Sequence, residues 1–161
     1  MSVEIFLKLD GVDGESQAKG HTNEIEIFSF SLGASNPSSV AMGTGSGAGK
    51  VDVSSLQIQK QLDTASAKLF QNCCSGKHFA KATLVTREAG GDAPVEYYKL
   101  DFDEVFIDSI SWGGASGGGK PSESVAMSFN KIKITYLPQK ADGSKGTQQQ
   151  ASWDIKQNAA S

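Results

Sequence analysis

Over most of the chain apolar and polar residues alternate with period two, the signature of strands that bury one face. VEIFLKL (3–9) sets Val3, Ile5, Leu7 and Leu9 on one side. EIEIFSFSLG (24–33) begins with Ile25 and Ile27 inward and then changes phase, so that Phe28, Phe30 and Leu32 share a face. A one-residue phase change is what a bulge produces, and bulges favour curved sheets and barrels. The same slip recurs where Val125, Met127 and Phe129 give way to Ile132, Ile134 and Tyr136. LQIQKQL (56–62), FAKATLVT (79–86), VEYYKLDFDEVFI (95–107) and SWDIKQ (152–157) complete the strand set. The pattern predicts an all-β chain.

One stretch departs from it. DTASAKLFQNCCSGK (63–77) offers Asp63 or Thr64 as N-cap, good helix formers, and Gly76 with Lys77 at the far end. The prediction is one short α-helix over 63–76, plugging or flanking a barrel. Leu69, Phe70, Cys73 and Cys74 fall on one face of it, which makes the cysteines small core residues. As adjacent residues they are expected to remain reduced thiols, since a disulfide between neighbours strains the peptide. A zinc site joining them to His21 and His78 has no familiar ligand spacing.

The totals narrow the function classes. With 161 residues, 38 % hydrophobic and 20 % charged, the chain has the size of a single domain, 1–161. A net charge of −3 argues against a nucleic-acid partner, and no run has the length of a membrane-spanning helix. MSVEIFLKLDG lacks the basic and apolar segments of a secretory signal. The expectation is folding in the cytoplasm and, for a secreted protein, export by a route that ignores N-terminal signals. Eighteen glycines are present, four of them in 43–49 and five in 113–119. The glycine-rich segment over 38–50 exceeds the common loop length, and such loops are usually functional or disordered.

Both glycine clusters imitate catalytic motifs. Gly49-Lys50 would end a Walker A loop, but Thr44 then stands where the first glycine is needed and Val51 where the magnesium-binding hydroxyl is needed. Gly43, Gly45 and Ala48 meet the dinucleotide fingerprint in spacing alone, because a strand-like VDVSSLQIQKQL follows instead of a helix. Gly114-Ala115-Ser116-Gly117-Gly118 fits the nucleophile elbow G-x-S-x-G. Pro121 and an alternating strand follow it, and both histidines precede it, so the required context is missing. Asp101, Asp103 and Glu104 read as the solvated face of a strand. No catalytic, cofactor-binding or metal site is expected.

Several stretches together resemble a known family. They are VEIFLKLDGVDGES (3–16), MGTGSGAGKV (42–51), SGKHF (75–79), REAGG (87–91), VEYYKLDFDEV (95–105) and YLPQKADG (136–143). In this order and spacing they are similar to the haemolysin-coregulated protein (Hcp) family, the tube-forming component of bacterial type VI secretion systems. The resemblance implies a two-sheet β-barrel of the Hcp and phage tail-tube type with a flanking helix. It also implies hexameric rings that stack into a tube, effector proteins held in the lumen, and a spike protein and contractile sheath as partners.

Two expectations about residues follow. The loop residues Gly43, Thr44, Gly45, Ser46, Gly47, Ala48, Gly49 and Lys50 would lie against the adjacent ring, the glycines allowing close approach of two backbones. Ser29, Ser31 and Gly33, opposite the apolar positions of their strand, would face the lumen and any guest inside it. The competing reading is a stand-alone β-barrel binding module for a small ligand, which predicts a monomer with an enclosed apolar pocket.

Overall fold

The computed structural model describes residues 2–37, 50–90 and 94–161. Its strands are β1 (Val3–Leu9), β2 (Ile25–Ile27), β3 (Ser29–Ser31), β4 (Ala34–Ser35), β5 (Asp52–Val53), β6 (Leu56–Gln61), β7 (Phe79–Glu88), β8 (Glu96–Gly113), β9 (Ser122–Tyr136), β10 (Gln149–Asp154) and β11 (Ala159–Ala160), with the helix α1 (Ser66–Ser75) between β6 and β7. The glycine-rich residues 43–49 lie outside the described residues.

Two long strands organise everything else. β8 and β9 pair along their whole length, and each half of the hairpin takes different neighbours. Near the start of β8, residues 96–105 pair with β7, and β9 residues 131–136 pair with β10. Near the hairpin tip, β9 residues 122–127 pair with β6, which in turn pairs with β3. The first sheet therefore runs β11-β10-β9-β8-β7-β1-β2 and the second runs β8-β9-β6-β3. The run 25–31 closes the wrap without a continuous ladder: β2 pairs with β1, β3 pairs with β6, and Phe28 between them donates its N–H to the Gln59 carbonyl at 2.8 Å.

The register builds the core in rows. Ile25, Leu7, Leu84 and Leu100 stand opposite one another across the first sheet, the row running out to an exposed Ile134, and Leu9, Ala82, Phe102, Ile132 and Trp153 follow. Phe30, Ile58, Val125 and Ile110 make the facing row of the second. Each fully buried side chain of this kind contributes about 1.5–3 kcal/mol. The first predicted phase change is real, with Ile25 and Ile27 buried and then Phe30 and Leu32 packed on the core; at the second Phe129 gives way to a buried Ile132, but Ile134 and Tyr136 beyond it are exposed. Phe28 does not join them. It sits where the strand changes partners and is 62 % exposed.

Helix α1 departs from expectation in its start and its face. Asp63 caps the turn that leads in, accepting the Ala65 N–H at 2.9 Å while its own N–H donates to the Ser66 hydroxyl at 3.0 Å, so the helix proper begins at Ser66. Gly76, at φ 71°, ends it and donates to the Asn72 carbonyl. The buried face is Ser66, Leu69 and Asn72. Cys73 is half-buried and packs against the core, whereas Cys74 and Phe70 are exposed, which corrects the reading of Cys74 as a core residue. A 100° step per residue cannot put four of six successive positions on one narrow face.

α1 covers a strand edge. β7 leaves β8 at Val105, and the flank of β8 beyond that point meets the helix and the turn after it: Phe70 of α1 lies 5.5 Å from Trp112, and His78, just past the helix, lies 5.3 Å from Phe106, between ring centroids. At the end of the barrel, Lys60 and Glu123, both wholly buried, form an ion pair. The Lys60 ammonium also donates to Asp63 (2.9 Å), Ser66 (3.2 Å) and the Gln61 carbonyl (3.0 Å). Glu123 also accepts from the Ser66 hydroxyl (2.9 Å) and the Trp112 indole N–H (3.0 Å). The network ties β6, β8, β9 and α1 together.

A second, smaller cluster lies on the outer face of the first sheet. Phe6, Val85 and Arg87 are buried there beneath residues 10–24, with His21 stacked on Phe6 at 4.4 Å and the Arg87 guanidinium 4.9 Å from the same ring. His21 contacts Glu24 at 3.0 Å and Glu96 at 2.6 Å. At the C-terminal end SWDIKQ is only partly strand: β10 begins earlier, at Gln149, and the chain turns after Asp154.

Replacing Glu123 with Leu leaves the buried Lys60 ammonium with Asp63 as its one remaining carboxylate and is expected to cost about 1–3 kcal/mol. Adding Lys60→Met to that variant removes the under-compensated charge. Denaturant titration should find the double variant more stable than Glu123→Leu alone.

Candidate functional site

The same two strands show solvent very different surfaces in their two halves. On the first sheet the outward residues are Lys81, Asp101, Asp103, Lys131 and Lys133, with Asp101 opposite Lys133 and Asp103 opposite both Lys81 and Lys131. Asp101 and Asp103 are therefore part of a charged sheet face, and the Asp101 carboxylate accepts from the Thr83 hydroxyl at 2.9 Å. Glu104 instead sits at the bend with a left-handed φ of 57° and pairs with Lys156 at 2.9 Å.

Past the bend the charges fall away. The outward positions of the second sheet form two rows across four strands. Ser31, Gln57, Ala126 and Ser109 make one, and Ser29, Gln59, Ser124 and Ser111 make the other. All eight are exposed or half-exposed, and none is ionisable. The Ser124 hydroxyl donates to the Gln59 side-chain oxygen at 2.6 Å. Asp108 stands at the margin, beside the register shift between Ile107 and Ser109, where its carboxylate accepts from Ser55 (3.0 Å) and Ser128 (2.8 Å). The wall is thus small, polar and uncharged, and the core lies directly behind it.

Ser29 and Ser31 stand within this wall, on β3. Gly33 lies just beyond, exposed, where its N–H donates to the Ser54 hydroxyl and its carbonyl accepts the Ser54 N–H, both at 2.8 Å. Lys50 is exposed two residues before β5, while Gly43, Thr44, Gly45, Ser46, Gly47, Ala48 and Gly49 fall outside the described residues. The nucleophile-elbow look-alike is the tip of the β8–β9 hairpin, with β9 starting at Ser122. Among the described residues no group of three or more His, Cys, Asp or Glu is placed to hold a metal ion. Gln57, Gln59, Ser109, Ser111, Ser124 and Ala126 went unrecognised from sequence. Their signal was polar residues without charge at alternate positions of LQIQKQ, SIS and SESVAMS.

At the far end of the first sheet Tyr98 faces Tyr136 across the ladder, and burial raises the Tyr98 phenol above its ordinary pKa.

This fold and this chain have relatives. A family model for the type VI secretion system effector Hcp matches residues 6–136. The chain belongs to the Hcp family. It is 42 % identical over 159 residues to Protein hcp1 of Pseudomonas aeruginosa, covering 98 % of each chain. The solved structure of a type six secretion system protein superposes with a TM-score of 0.92 at 30 % identity, over 99 % of this chain and all of that one. Hcp1 from Salmonella typhimurium gives 0.83 at 36 % identity, over the whole of both chains. The Hcp fold is therefore the two-sheet arrangement described above, and the chain is a type VI secretion protein.

The wall makes little contribution to folding, because its side chains face solvent. Ser29→Ala, Ser31→Ala and Gln59→Ala should each change unfolding free energy by no more than about 0.5 kcal/mol in denaturant titration.

Proposed function

We propose that the chain is the structural subunit of the secretion tube. Copies join head to tail into hexameric rings, the rings stack, and the uncharged wall of the second sheet lines the channel. The observation that carries this reading is the wall itself. A protein with 20 % charged residues keeps ionisable groups off eight neighbouring outward positions. Hydroxyls, amides and one methyl offer a guest protein hydrogen bonds without a fixed charge or a large apolar patch to bind it irreversibly. Spike and sheath then act on the assembled tube, and effectors ride within it. No catalytic step is required of the chain.

The interior of the protomer supports the same conclusion against a ligand-binding module. Phe102, Leu7, Leu100, Ile58 and Met127 fill the space between the sheets. A ring closes a heterologous contact on itself, and stacking adds a second contact that does not close. The segment Gly43–Lys50 serves the second contact, lying against the adjacent ring.

Negative-stain images of the purified protein should show open annuli of one size, and a uniform field of monomers would refute the proposal. In those rings Ser31→Gln, which extends a bulkier side chain into the channel, is expected to weaken retention of a co-expressed effector while annuli persist. Deletion of residues 43–49 should leave single rings and abolish their stacking into filaments, and stacking at the wild-type level would remove that role from the loop.

A further inference from the structure

Phe28, Leu62, Phe70 and Trp112, four of the large exposed apolar side chains, border the uncharged wall on its two flanks, while Val3, Ile134 and Tyr136 are exposed on the first sheet. On one flank Phe28, 62 % exposed, lies at the end of β3, whose far side takes no strand among the described residues. Leu62, Glu15, Glu26, Asp63 and Lys120 lie around it. On the opposite flank, along the part of β8 that α1 covers, stand Phe70 and Trp112, each 47 % exposed. Lys68 and Lys77 are exposed on α1 and just after it. Among the described residues neither lysine has a carboxylate within 4.0 Å, and Glu26 has no cation within that distance. Carboxylates outnumber the one lysine around Phe28, whereas the charges named beside Phe70 are lysines.

We infer that these flanks are the two halves of one contact between copies of this chain: Phe28 of one copy packs against the Phe70–Trp112 pair of the next, with Glu26 facing Lys68 and Lys77 across the seam. The inference rests on the reading of the wall as a channel lining. If that sheet faces the axis, its lateral flanks are the surfaces that meet in a ring, and a head-to-tail ring needs two different patches on opposite sides. Exposed aromatics of this kind anchor interface centres, and complementary charge fixes register at the rim. Strand addition is blocked on the β8 flank because α1 already covers that edge, so side chains must make the contact there.

Full-length Phe28→Ser and Phe70→Ser proteins test this by sedimentation velocity, with circular dichroism as the check on folding. Each variant alone should lose rings and run as the 16.9 kDa chain. Mixed in equal amounts at high concentration they should form a species of twice that mass and nothing larger, since the Phe28 of one variant still meets the intact helix face of the other. Rings that survive in either folded variant, or a mixture that stays monomeric, would overturn the contact. Wild-type protein that forms no rings would instead overturn the tube reading on which it rests. If a serine variant misfolds, Glu26→Lys takes its place. Loss of rings in Glu26→Lys and their return in the Glu26→Lys/Lys68→Glu/Lys77→Glu protein would support the seam, and unchanged rings in Glu26→Lys would refute it.

Discussion

The β8–β9 ladder is the constraint on which the rest of the molecule depends. The two strands, eighteen and fifteen residues long, stay paired at fourteen positions each through a bend marked by the left-handed Glu104 and the register shift after Ile107. A non-glycine residue at positive φ is uncommon, and here its side chain pairs with Lys156 at the surface. Because the hairpin bends, β7 and β10 attach to one half and β6 attaches to the other. One pair of strands thereby becomes the spine of two sheets, and its outward surface changes from charged to uncharged at the bend.

The other stabilising devices follow from that geometry. Where β7 departs, the edge of β8 would stand open, and α1 fills the place of a strand. The helix cannot rest there on Leu69 alone. The buried Lys60–Glu123 pair, satisfied by Ser66, Asp63 and Trp112, fixes it to the barrel end. A buried ion pair adds little net stability over an apolar equivalent, and its role here is to specify one helix position. The outcome is a protomer with an uncharged wall between two aromatic flanks.

Much of this could be read in the sequence because period-two alternation reports burial directly. Both phase changes, the single helix and the solvent side of Ser29 and Ser31 came from that signal. What it missed depends on distant partners. Lys60 occupies an inward position of LQIQKQ, yet its burial makes sense only beside Glu123, 63 positions later in the chain. Phe6 is buried although it points out of the barrel, because residues 10–24 fold back over it. Phe28 and Cys74 are apolar by type yet exposed, and local pattern does not show which apolar residues find no partner within the chain. The wall as a whole was hidden for the same reason: Gln57, Ser124 and Ser109 join Ser31 only through long-range pairing.

The central claim is that the uncharged face of the second sheet points toward a shared hollow axis. A cryo-electron microscopy reconstruction of the assembled protein at side-chain detail tests it most directly. The account predicts that Ser31, Gln57 and Gln59 line the channel of every ring. A channel lined instead by Lys131, Lys133 and Asp101, with the Ser/Gln wall on the outer rim, would contradict it.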